Sequence, residues 1–207
     1  SHVFFDCDGV ILDANEIKSD AFYEVALSRF GKDIALDFKK YHEEKGGISR
    51  YKKFNYLLSI TSQLNKSITL ESLLQDYAEL IFKKLLNCQI VSSLSTLRRE
   101  NPDQKWYIVS GGNQEELLHI FAERQIDNYF DGGIYGSPDD KRTIINKIMG
   151  ANFNHLNKLF IGDSAYDFDV ASSLDLDFIF ASNWTQLKDW REFCSSNKIN
   201  FIPDISY

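Results

Sequence analysis

The feature that most restricts the fold is an alternation in the second half of the chain. Trp106-Tyr107-Ile108-Val109, Leu159-Phe160-Ile161 and Phe178-Ile179-Phe180 are short, unbroken apolar runs, and each reads as a strand covered on both faces. Between them lie stretches with apolar residues at helical spacing, namely Leu117, Leu118 and Phe121, then Ile144, Ile145, Ile148 and Met149, then a helix from about Ser164. A shorter, glycine-interrupted strand is predicted from Phe130 to Tyr135. Asn113 with Glu116 marks one helix start, while Ser137-Pro138 predicts a cap residue and first-turn proline for the next helix, with Gly150 at its stop. Repetition of this kind predicts an α/β fold, a parallel sheet with helices on both faces.

The first half departs from this pattern. A strand-type run, Val3-Phe4-Phe5, ends at Asp6-Cys7-Asp8-Gly9. Residues i and i+2 of a strand face the same way, so an extended backbone would aim both carboxylates at one spot. A divalent cation or a shared proton would relieve their repulsion. An Asp-rich turn with Gly9 at positive φ accounts for the same residues. Helical spacing then takes over: Ile17, Ala21, Phe22, Val25, Ala26 and Phe30 form one stripe ending near Gly31, and a second stretch carries Phe38 and Tyr41. Gly46-Gly47 breaks the pattern, a third helix starts around Ser49, and a fourth runs from Leu70 to Leu85. Residues 14–87 are therefore expected to form a small helical domain inserted into a core made of 1–13 and 88–207, with hinges near 13–15 and 87–92.

A formal charge of −7 argues against a general nucleic-acid binder, so any anionic ligand must be met by local positive charge. Cys7, Cys88 and Cys194 are far apart and lack metal-type spacing, which predicts reduced thiols in a cytoplasmic setting. No apolar stretch is long enough for a transmembrane helix, and the immediate entry into a strand predicts no targeting segment and no membrane partner.

Parallel sheets bind ligands beyond the carboxyl ends of their strands. The first strand is followed there by Asp6 and Asp8, the Trp106 strand by Ser110-Gly111-Gly112, and the Leu159 strand by Gly162-Asp163-Ser164 and then Asp167. Lys141 lies just beyond the glycine-interrupted strand, at a helix start. Singly, Ser110 reads as a cap, Lys141 as a solvated lysine, and Asp163 with Asp167 as an i, i+4 pair favoured by a helix dipole. Together they reach one end of one sheet.

Asp6-Cys7-Asp8-Gly9-Val10, Ser110, Lys141 and Gly162-Asp163-Ser164-Ala165-Tyr166-Asp167 resemble the four ordered motifs of the haloacid dehalogenase-like hydrolase superfamily. The position of the insertion is similar to the branch of phosphoglycolate phosphatases and beta-phosphoglucomutases. The resemblance implies a Rossmann-like core with a helical cap and a Mg²⁺-dependent phosphatase acting on a small soluble phosphomonoester, a sugar phosphate or a phosphoglycolate-like compound, through an aspartyl phosphate. Asp6 would be the nucleophile, Asp8 the general acid and base, Ser110 and Lys141 the phosphoryl contacts, and Asp6, Asp8, Asp163 and Asp167 the metal site. Gly111 and Gly112 would border the substrate. The second Asp of the first motif and the acidic fourth motif favour phosphoryl transfer over dehalogenation, and Cys7-Asp8 does not match the Lys-Thr of P-type ATPases. Cys7 replaces a bulky aliphatic residue and is expected to face away from the site, and Arg142 follows Lys141 where relatives carry Lys-Pro.

Lys45-Gly46-Gly47-Ile48-Ser49-Arg50 resembles the part of the mutase cap that meets substrate, within a basic stretch that also holds Lys39, Lys40, His42, Lys52 and Lys53. Lys45 or Arg50 is expected to reach a second anionic or polyhydroxyl part of the substrate. His42, His119 and His155 are expected at the surface or in packing, and Trp184, Trp190 and Phe193 in the core. A phosphomutase and a catalytically silent binding module are the alternatives, and the chain is expected as a monomer or weak homodimer.

Overall fold

The computed structural model describes residues 1–64, 67–150 and 157–206. Six parallel strands form one sheet: β1 (His2–Phe5), β2 (Lys105–Asn113), β3 (Gly133–Ser137), β4 (Lys158–Gly162), β5 (Asp177–Ala181) and β6 (Asn200–Ile202). Their order is β3-β2-β1-β4-β5-β6, so the fold is the expected α/β, Rossmann-like one. Strand β1 lies in the middle, with His2 opposite Lys105 of β2 on one side and Lys158 of β4 on the other. The chain order reverses there, which opens a crevice beyond the ends of β1 and β4.

The unbroken apolar runs reflect burial on both faces. Phe4, Tyr107, Val109 and Phe160 pack on one side against Ile144, Ile145 and Val170. Val3, Phe5, Trp106, Ile108 and Ile161 face the other side, in a cluster that continues into the first four helices. The helices outside the insertion are α5 (Leu94–Glu100), α6 (Gln114–Glu123), α7 (Lys141–Met149), α8 (Ala165–Ser173) and α9 (Trp190–Asn197).

Between β1 and β2 the chain forms α1 (Asn15–Phe30), α2 (Lys32–Glu44), α3 (Arg50–Thr61) and α4 (Leu70–Asn87) before α5. Their shared interior is aromatic: Phe22 lies 4.3 Å from Tyr77, 5.1 Å from Phe54 and 5.6 Å from Phe38 between ring centroids. Helix α3 starts where Ser49 Oγ accepts from the Lys52 amide, and α4 opens with a Thr69/Ser72 capping box. The two chain crossings run side by side, with Asp13 N donating to Gln89 O and Val91 N to Ile11 O, both at 2.9 Å.

Three local expectations change. Ser137 ends β3 and donates its hydroxyl to Gly112 O, so it does not cap α7; Asp140 does, accepting from Thr143 N at 2.8 Å, and the helix begins at Lys141. The strand expected at Phe130–Tyr135 is shifted to Gly133–Ser137, because Asp127–Tyr129 forms a 3₁₀ turn closed at Phe130. Asp163 precedes α8 rather than standing on its first turn, since Ser164 is the cap and Asp167 the third helical residue. Among the described residues no helix is long and apolar enough to cross a membrane.

Candidate active site

The turn after β1 depends on Gly9. Its φ is +80°, and a Cβ there would lie 2.1 Å from Asp163 Oδ2, so only glycine lets the Asp6–Asp8 segment approach the end of β4. Asp6 is 3% exposed; its Oδ1 accepts from Cys7 N at 2.7 Å and its Oδ2 lies 2.8 Å from Lys141 Nζ. Lys141, at the first position of α7, is equally buried and also donates to Asp167 Oδ1 at 2.6 Å. The other Asp167 oxygen accepts from Ser164 N at 3.2 Å and Ser164 Oγ at 2.7 Å. Asp163 Oδ2 accepts from Asn15 Nδ2 at 2.7 Å, and its carbonyl accepts from Thr185 Oγ1 at 2.6 Å.

Asp6, Asp163 and Asp167 thus bring carboxylate oxygens within 4.8 Å of one another, all buried. One lysine contacts two of the three. Burial pushes the Asp6 carboxyl up to about 7, opposed by Lys141 and aided by Asp167. Burial, and then the charge on Asp6, hold Asp163 well above its ordinary range. Lys141 is shifted upward, because its two carboxylate partners outweigh the desolvation that would lower it. An oxygen-only donor set with surplus negative charge fits a hard divalent cation of the Mg²⁺ type.

Asp8 is held differently. Its Oδ2 pairs with Lys18 Nζ of α1 at 2.5 Å, while Oδ1 is buried without a partner among the described residues. Ser110 is fully buried inside β2, which runs on irregularly through Gly111 and Gly112 to Asn113 rather than stopping at Val109, and its Oγ accepts from Gly112 N at 3.0 Å. Gly111 and Gly112 border a cavity of about 360 Å³, and Asp6, Asp8 and Asp163 lie at its floor. A Cβ on Gly111 would lie 2.6 Å from Gly47 O, so glycine lets the α2–α3 loop come down onto the sheet. Cys7 is buried in the apolar cluster on the other side, as expected.

The insertion supplies the opposite wall. Lys45 ends α2 at the exposed rim. Arg50 lines the cavity, but its guanidinium makes a two-pronged ion pair with Glu116 of α6 and lies 4.7 Å from the Tyr77 ring centroid. Its charge is therefore already matched. His42, expected at the surface or in packing, packs on Phe22 yet also lines the cavity, 2.7 Å from Lys53 Nζ. His119 is exposed near Glu123 and Phe82, and His155 lies outside the described residues. Trp190 and Phe193 are half-buried around Phe180, and the half-buried Trp184 offers its carbonyl to Asn15. Sequence reasoning missed Asn15, Lys18 and Lys53 as site residues. A usable signal existed for Lys18: it falls at i−4 from Phe22 and i−7 from Val25, on the apolar stripe itself.

The profile of the haloacid dehalogenase-like hydrolases matches residues 3–181, and the chain belongs to that family. Comparison with curated protein sequences gave no match. Solved structures share the fold at low identity. A predicted phosphatase from Clostridium acetobutylicum is 18% identical with a TM-score of 0.71, covering 98% of this chain and 92% of its own. The beta-phosphoglucomutase of Clostridium difficile is 18% identical with a TM-score of 0.69, covering 95% and 97%. The Bacillus subtilis HAD-hydrolase YfnB, described as bound to magnesium and showing interdomain movement, is 19% identical with a TM-score of 0.60, covering 86% and 87%.

Proposed function

We propose that this protein is a Mg²⁺-dependent phosphatase for a small soluble phosphomonoester, with residues 14–87 as a cap over a core of 1–13 and 88–207. The observation that carries the reading is the buried set of Asp6, Asp163 and Asp167 around Lys141, with Asp8 beside it at the sheet's switch point. A phosphomonoester is surrounded by negative charge, so a carboxylate can attack it only where cations offset that charge. Asp6, Asp163 and the Asp8 main-chain carbonyl would hold the metal, with Asp167 orienting it, and the ion would neutralise the phosphoryl oxygens.

Asp6 attacks phosphorus, the P–O bond to the leaving alkoxide breaks, and an aspartyl phosphate forms. Asp8 gives its proton to that alkoxide, then takes one from the water that attacks the acyl phosphate, releasing inorganic phosphate and restoring Asp6. Lys141 holds Asp6 in line and contributes positive charge. Ser110 Oγ accepts from Gly112 N, which leaves its hydrogen to donate to a phosphoryl oxygen. The free, buried thiols of Cys7, Cys88 and Cys194 suit a reducing, cytoplasmic compartment.

Phosphate release from a panel of sugar phosphates, phosphorylated carboxylic acids, nucleotides and an aryl phosphate, with Mg²⁺ and with chelator, tests the reading. Metal-dependent release is expected. Release that survives chelation would refute the metal requirement, and transfer to a bisphosphate in place of release would refute the phosphatase in favour of a mutase.

A further inference from the structure

Three polar side chains share one face at the start of α1, Asn15, Lys18 and Ser19 at i, i+3 and i+4, and each reaches a different segment of the site. Asn15 Nδ2 donates to Asp163 Oδ2 at 2.7 Å and to Trp184 O at 2.9 Å, which uses both of its amide hydrogens. Lys18 pairs with Asp8, and Ser19 Oγ lies 3.0 Å from Gln186 Oε1. The turn after β1, the end of β4 and the loop after β5 are thus all tied to the place where the insertion begins.

The three floor carboxylates are not held alike. Lys141 fixes Asp6 and Asp167, and Ser164 adds a hydrogen bond to Asp167. Asp163 receives neither; among the described residues the Asn15 amide is the one side-chain donor to its carboxylate. A neutral donor fixes the orientation of a carboxylate without cancelling the charge that a cation needs, whereas an ammonium would do both. The packing is kept open for this contact, since a Cβ on Gly9 would lie 2.4 Å from Asn15 Nδ2.

We infer that Asn15 is a positioning residue for the metal ligand Asp163, and that through it cation binding is coupled to the hinge of the insertion. The cation itself rests on the phosphatase reading above. Outer donors that orient a ligating carboxylate are worth about 10- to 100-fold in metal affinity. With Oδ2 held by the amide, Oδ1 is left to the ion. Because Asn15 is the first residue of α1, a swing of the insertion that moves this turn withdraws the donor from Asp163. Cation binding must in return hold the turn in place, by the same factor.

The test is calorimetry of Mg²⁺ binding, with Mn²⁺ as a second probe, in the absence of substrate. Asn15→Leu keeps the size and removes both donors, and it should bind about 10- to 100-fold more weakly than the unsubstituted protein; Asn15→Ala serves if the Leu variant does not fold. Asn15→Ser retains one donor and should fall between the two. Ser19→Ala removes the neighbouring link to Gln186 and should stay within about twofold. Hydrogen exchange in the first turn of α1 should slow on saturation with metal in the unsubstituted protein, and not in Asn15→Leu. Unchanged affinity in Asn15→Leu, an equal loss in Ser19→Ala, or undiminished slowing of exchange in Asn15→Leu would overturn the role of Asn15 and leave the metal reading standing. Absence of Mg²⁺ binding in the unsubstituted protein would overturn both.

Discussion

The floor of the cavity and the wall that α1 to α4 form over it are charged in opposite senses. On the floor, Asp6, Asp163 and Asp167 crowd around one lysine, leaving negative charge in excess. On the wall, Lys53 faces the cavity beside His42 and, among the described residues, has no carboxylate within ion-pair distance. Each imbalance would be unfavourable in a sealed interior, where buried charges are ordinarily paired. Two opposite imbalances across one small cavity are what a site needs if it receives a cation at one end and an anion at the other.

The floor is probed hardest by Asp6→Asn. Loss of the nucleophile should lower phosphate release by at least about 10⁴-fold, with circular dichroism unchanged because the amide keeps the shape. Turnover close to that of the unsubstituted protein would remove Asp6 from its role and, with it, the reason for the carboxylate cluster.

Lys141→Met addresses the same imbalance through stability. It leaves Asp6 and Asp167 buried without their cation, and removing one partner of a buried pair costs about 3–5 kcal/mol. Denaturant unfolding should register a loss of that size, and saturating Mg²⁺ should restore part of it. A loss below about 1 kcal/mol would mean that the floor tolerates its excess charge unaided.

Magnesium should act on the unsubstituted protein too. At 100 times its dissociation constant a ligand specific for the folded state adds about 2.7 kcal/mol, or about 5–10 °C in Tm for a chain of this size. Differential scanning fluorimetry with Mg²⁺ and with chelator reads the shift, and Asp163→Asn should abolish it. An equal shift in that variant would place the ion elsewhere.

The same division separates what could be read in the sequence from what could not. Strand-end chemistry was legible because short apolar runs fix where each strand stops, and sheet topology then gathers Asp6, Ser110, Lys141 and Asp163 whatever the loops do. The wall lacks such a rule. Lys53 and His42 come from different helices and meet only through the α2–α3 turn, and each alone looks like a member of a basic, solvated stretch. Arg50 showed the converse failure: its resemblance to a substrate contact could not reveal Glu116, 66 residues away in the chain. Helix α5 and strand β6 were illegible because they are short: α5 has seven residues and follows Ser93 at positive φ without a side-chain cap, and β6 has three residues at the sheet edge.

The smallest expected effect tests the wall by pH. Lys53 is faced by His42 from α2, Lys18 from α1, Lys141 from α7, and Asp8 and Asp6 across the cavity; burial first, and then the charge of Lys18, lowers its pKa to about 7. Below that pH the amine is protonated in both the folded and unfolded chains, so the folded state bears the full cost of the buried charge. Between about 7 and its ordinary 10.5 the unfolded chain binds a proton that the folded one does not, so stability rises with pH, at a limiting slope of about 1.4 kcal/mol per unit. Asp6, pushed up to about 7, and Asp163, held well above its ordinary range, titrate in or beside the same interval, so Lys53 is read from the difference between the variant and the unsubstituted protein at each pH. Lys53→Met should therefore be about 1–2 kcal/mol more stable than the unsubstituted protein at pH 6, with the advantage shrinking towards pH 9. Urea unfolding at pH 6, 7.5 and 9 measures it. Curves that stay parallel would show that the buried amine already has its counter-charge, and the contrast between floor and wall would lose its second half.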